Sequence, residues 1–163
     1  MEYYPILITI HIIFAGGWLI NFLIEPVIKK NINLRKGTPS EKILVNLYLK
    51  FSNLLGIIGA TGILITGITM VILNPGFGFF QMTANHWLST KQILMVILLL
   101  IIFLFIIPTA KRLRSDISAG LEDKEPLTEE SYKYLKKIYR LNTAVNIIVL
   151  LNFLFAITRR FMA

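Results

Sequence analysis

The chain has no cysteine, which removes disulfides, thiolate zinc sites and iron–sulfur clusters from consideration. Charge is also scarce. Only 16% of the 163 residues are Asp, Glu, Lys or Arg, against about 25% in an ordinary soluble domain. Histidine occurs twice. The patterns of soluble hydrolase chemistry are missing: there is no GxSxG elbow, no HExxH zinc pair and no glycine loop followed by a phosphate-binding lysine. Together with the four charge-free apolar runs of the chain, these absences exclude a soluble enzyme, a secreted disulfide scaffold and a nucleic-acid-binding domain.

What the chain does have is apolar length. Hydrophobic residues make up 55% and the mean hydropathy is +0.68. Residues 6–24, 51–73, 92–110 and 141–158 carry no charge at all, and each run is about as long as a helix needs to be to cross a hydrocarbon core. The expected fold is therefore all-α, a four-transmembrane-helix bundle forming one integral membrane domain over 1–163. Its helices are expected near 6–28, 42–73, 87–110 and 128–158.

The net charge of +8 is read from its distribution. Residues 25–50 hold six cations against Glu25 and Glu41, and residues 111–140 hold eight cations against six anions. By the positive-inside rule both connections are cytoplasmic and both termini lie outside. The second and fourth helices then extend into the cytoplasm, and a multi-pass protein of the plasma membrane is expected. The bilayer, not nucleic acid, is the partner that this charge predicts. No basic segment precedes the first apolar run, so that run is expected to stay as a helix and not to be cleaved as a signal peptide.

Local signals set the ends. Pro5 suits a first helical turn, Ser40 can cap the second helix, Asn74-Pro75-Gly76 stops it, and Thr128 caps the last. The uncharged loop 77–85 fits the outer interface. In the second run, Gly56, Gly59 and Gly62 recur every third residue, a spacing that lets helix backbones approach closely in lipid.

Ionisable groups inside apolar helices are costly and mark candidate sites. One face of the first helix reads His11, Ala15, Trp18, Phe22, Glu25 at 100° per residue. His86, Trp87 and Lys91 stand at the start of the third. Because both helices enter from the outside, His11 and Lys91 fall at similar depth. Simpler roles stand beside these: a hydrogen bond across helices for His11, a snorkelling position for Lys91, and a place at the cytoplasmic interface for Glu25, paired with Lys29 four residues on. Asn142 and Asn146, one turn apart, are expected to hydrogen-bond between helices.

HIIFAGGW at 11–18, with Pro26 eight positions after Trp18, resembles the first span of the HemJ-type membrane protoporphyrinogen oxidases and their copper-resistance D-like relatives. WLSTK at 87–91 resembles the start of the tryptophan-to-lysine segment of those oxidases. The resemblance implies a small helical bundle in which His11 and Lys91 are functionally important, with b-type haem as cofactor. On that reading His11 and His86 hold haem or a metal, and Trp18 and Trp87 count with them as cofactor-binding. Lys91 acts as the catalytic, electrostatic group. Met70 or Met82 is a candidate axial ligand beside His11, and copper is the lesser alternative, since no methionine-rich motif appears. The chain departs from the oxidase pattern at Val27, where arginine is usual, and at Ser89, where histidine is usual. The leading expectation is thus a haem- or metal-binding redox-type membrane protein. The alternative is a non-enzymatic subunit or assembly partner of a larger membrane complex, or a homo-oligomer.

Overall fold

The computed structural model describes residues 3–119 and 126–162. Glu122, Asp123, Lys124 and Glu125, which count in the charge of residues 111–140, lie outside the described residues. Four long rods make up the described residues. The first is α1, Tyr4–Leu34, and the second is α2, Pro39–Leu73. The third is composite: α3, His86–Ile101, then a π-helical segment, Ile102–Ile106, then α4, Ile107–Ala119. The fourth is α5, Glu129–Met162. All four rods are long and apolar enough to cross a membrane, as the charge-free runs require.

The ends follow local chemistry, with two differences from expectation. Helix α1 runs past Pro26 to Leu34, so the turn between the first two rods shrinks to a few residues around Gly37, whose φ is +77°. Ser40 does not cap α2. Thr38 occupies the N-cap position with Pro39 after it, and the free Gly37 N–H is taken by the Glu41 carboxylate at 2.7 Å. Thr128 does cap α5, accepting from the Ser131 N–H at 3.1 Å. Asn74 ends α2 and folds its side-chain oxygen onto the Gly76 N–H.

The π-helical segment has a plain cause. Pro108 has no N–H and its ring collides with the carbonyl one turn back. The helix widens just before it, the Ile107 N–H reaching the Ile102 carbonyl five residues earlier. Such widened turns shift side chains around the helix axis and occur often at functional sites.

Helix α1 packs mainly on α2, and α5 packs on α1 and on the third rod; α2 approaches the third rod chiefly through α4. Two apolar cores result. One, at the basic end, gathers Ile32, Val45, Tyr48, Leu49, Leu113 and Ile138. The other gathers Trp18, Ala60, Leu98, Ile106, Val145 and Val149. Large Leu, Ile and Phe side chains on the outer surface, such as Leu23, Ile72 and Phe103, are exposed, which suits contact with lipid.

The glycine stripe of α2 divides by task. A Cβ on Gly62 would strike the Phe14 ring, and one on Gly59 would lie 2.9 Å from the Trp18 ring, whereas one on Gly56 would meet nothing within 4 Å. Two of the three glycines therefore serve close packing and the third fronts open space. Gly62→Ala and Gly59→Ala are expected to cost about 1–3 kcal/mol each through overpacking, and Gly56→Ala close to nothing. Unfolding of the detergent-solubilised protein by SDS checks the contrast.

Candidate functional site

Between the two cores lies a cavity of about 490 Å³. Its walls are apolar, with Leu64 and Ile57 from α2 facing Leu99, Ile102, Phe103 and Ile106 from the third rod. Ile57, Phe103 and Ile107 on its rim are themselves exposed, so the cavity opens sideways, between α2 and the third rod, onto the surface that meets lipid.

One pole of the cavity is polar, and three helices build it by the same device, two polar residues one turn apart. They are Asn21 and Glu25 on α1, Tyr48 and Ser52 on α2, and Asn142 and Asn146 on α5. Glu25, 7% exposed, is the hub. Its Oε1 accepts from the Tyr48 hydroxyl at 2.6 Å and pairs with the Lys29 Nζ at 2.9 Å. Its Oε2 accepts from the Asn146 Nδ2 at 2.7 Å. Asn142 Nδ2 donates to the Tyr48 hydroxyl at 2.7 Å and to Ser52 Oγ at 2.9 Å. The Lys29 ammonium also lies 4.6 Å from the centre of the Tyr139 ring, which stands edge-on to Tyr48. A carboxylate taken out of water needs its lone pairs and its charge satisfied together, and here both are.

The expected pair of Glu25 with Lys29, four residues on, is present, and the carboxylate end of it is buried against α2 and α5. Asn142 and Asn146 hydrogen-bond between helices, as expected. The inward face of α1 also differs by one position. Phe22 is 43% exposed, and its place on that face belongs to Asn21, which is 8% exposed. The helical wheel alone favours 22 over 21. The way the other helices pack around α1, which the wheel does not contain, reverses that choice.

The residues singled out from the family resemblance lie toward the opposite end. His11 and Glu25 are 14 residues apart, about 21 Å along the helix. His11 is half-buried, its Nδ1 2.7 Å from Thr66 Oγ1. The single hydroxyl proton of Thr66 is already given to the Gly62 carbonyl, at 2.5 Å. Nδ1–H must therefore be the donor in the His11–Thr66 bond, and Nε2 keeps its lone pair. Lys91 lies within electrostatic reach of His11, with its Nζ 5.9 Å from the centre of the Trp87 ring. Trp87 stands edge-on to Phe77. His86 begins α3 and is exposed. Trp18 lies away from these groups, beneath Gly59 and against the cavity. Met70 is half-buried and Met82 exposed. Ser89 is fully buried, and its hydroxyl has no partner among the described residues.

Among the described residues no three His, Asp or Glu side chains gather as metal ligands, and neither histidine lines the cavity. Of the two histidines, the half-buried His11, through Nε2, is the one placed within the bundle to face a haem iron or copper ion.

No protein-family model matches the chain, and neither a curated protein nor a solved structure does. The likeness to the HemJ-type oxidases rests on the two short motifs alone.

Glu25→Ala would leave the Tyr48 hydroxyl, the Asn146 amide and the Lys29 ammonium without their common acceptor. A loss of about 3–5 kcal/mol is expected, with Glu25→Gln milder. Adding Lys29→Met to Glu25→Gln is expected to return part of the loss, since it removes the stranded cation. A double-mutant cycle of unfolding free energies tests this coupling.

Proposed function

We propose that this is an integral membrane protein that takes a lipid-soluble small molecule from the bilayer into its bundle, with the basic end in the cytoplasm. The carrying observation is the cavity: about 490 Å³, apolar in its walls, polar at one pole and open sideways between two rods. Ligand sites in helical bundles have this composition, a mostly apolar pocket with a few placed polar groups that orient the guest. The guest's apolar body would lie against Leu64, Leu99 and Phe103, and its polar end would reach the Asn21–Glu25 pole. The exposed cations Lys30, Arg35, Lys36, Lys111, Arg112 and Lys137, all near that end, support the cytoplasmic placement.

Trp18 lines the cavity and is one of two tryptophans, so it serves as a built-in reporter. In a Trp87→Phe background, a brominated long-chain amphiphile in the bilayer is expected to quench Trp18 saturably. Gly56→Phe, which places a ring in the open space beside the cavity, is expected to abolish the saturable part. Quenching that never saturates, and that Gly56→Phe leaves unchanged, would defeat this reading.

A second reading has its own observation. His11 holds Nδ1–H on Thr66 and keeps the Nε2 lone pair, the arrangement by which a neighbouring acceptor orients an imidazole for a metal. Lys91 lies within electrostatic reach of it. This favours a haem b or copper centre near the end opposite the cavity pole, in a redox-type protein related to the HemJ family. A bound haem would supply the electron chemistry, while His11 would orient it and Lys91 would offset the charge of a propionate or an anionic substrate. Protein purified in mild detergent is then expected to show a Soret band that His11→Ala removes. A colourless protein that takes up neither haem nor copper would set this second reading aside and leave the first intact.

A further inference from the structure

Resting on the reading of the cavity as a lipid-accessible site, the chemistry of its pole narrows the class of guest. Asn21 is the deciding residue. Its side chain lines the cavity, is 8% exposed, and has no hydrogen bond to any described neighbour. A buried carboxamide has two donors and an acceptor to satisfy, and leaving them unpaired is costly. The antiparallel step that sets Trp18 against Gly59 and Phe14 against Gly62 brings Asn21, one turn on, level with Gly56. No atom lies within 4 Å of a Cβ built there. The amide therefore faces open volume that a guest can enter.

Charge is the second consideration. The one acid of the pole is already neutralised: Glu25 is held by Lys29 at 2.9 Å, and Lys29 rests on the Tyr139 ring. Arg114, a further cation on this side of the bundle, does not line the cavity. Its Nη2 donates to the Leu49 carbonyl at 3.1 Å, and it faces the Asn53 carboxamide, whose oxygen, oriented toward it, lies 2.9 and 3.2 Å away. A charged head group entering from lipid would find no free counter-charge in the cavity and would lose its hydration. An uncharged head loses far less and gains the Asn21 amide.

We propose that the cavity selects an uncharged amphiphile, a lipid-soluble molecule whose polar end is a hydroxyl, carbonyl or primary amide that hydrogen-bonds the Asn21 side chain. The test uses four brominated 18-carbon probes in nanodiscs at equal mole fraction in the bilayer: the alcohol, the primary amide, the carboxylate and the trimethylammonium. Quenching of Trp18 is read in the full-length Trp87→Phe protein. The alcohol and the amide are expected to saturate at about tenfold lower mole fraction than either charged probe, the worth of one well-made hydrogen bond. Asn21→Leu is expected to remove that preference, and Asn21→Asp to move it to the trimethylammonium.

Equal quenching by charged and uncharged probes would overturn the proposal while leaving lateral entry standing. Preference for the carboxylate would overturn it in favour of Arg114 as the anchor. If no probe quenches Trp18 saturably, the cavity reading itself falls. The probe series on Trp87→Phe alone decides the matter should the Asn21 variants fail to fold.

Discussion

One buried carboxylate organises the basic half of this bundle. Glu25 cannot sit among apolar helices without partners, and it draws them from three directions: Lys29 along its own helix, Tyr48 from α2 and Asn146 from α5. Each bond is directional, so the group does more than neutralise a charge. It fixes how far α1 is turned about its axis and how far α2 and α5 have slid along it. Apolar packing in lipid supplies little of that information, because a leucine gains nearly as much from a lipid tail as from a neighbouring helix. Polar bonds carry the specificity.

The same register runs up the α1–α2 seam. Trp18 against Gly59, Phe14 against Gly62 and His11 against Thr66 repeat one antiparallel step. Where large meets small the seam closes. At Gly56, level with the short polar Asn21, nothing lies within 4 Å of a Cβ built there, and the seam opens. On the far side Pro108 forces the π-helical segment and carries the third rod's side chains around its axis, while α2 meets that rod mainly at one end. The cavity is the volume left by these two local features.

The bundle thus has two polar levels about 21 Å apart along α1, each built around an ionisable residue of that helix. At the level of His11 the groups are few: an imidazole steered by Thr66, with Lys91 in electrostatic reach. At the level of Glu25 they are many and mutually satisfied, with the Asn21 amide as the exception. A satisfied network is rigid, and an unsatisfied amide beside open volume is where a guest gains most. Such a division suits a site that must hold its shape while one face of it exchanges partners with the bilayer.

Much of this architecture follows from chain chemistry alone. The number of crossings, the basic end, the stop at Asn74-Pro75-Gly76 and the cap at Thr128 are local, since they depend on run length, charge and backbone stereochemistry. So is the potential of the glycine stripe for close packing. The i,i+4 polar pairs are equally visible in the sequence: Asn21 and Glu25, Tyr48 and Ser52, Asn142 and Asn146. Their convergence is not, because spacing places two residues on one face of a helix but says nothing of which face another helix will cover. Phe22 and Asn21 make the point, since a wheel ranks them in one order and the neighbouring helix in the other. The burial of Glu25, the open space at Gly56 and the sideways mouth of the cavity were all decided by how the rods lie against one another, and that depends on contacts between residues far apart in the chain.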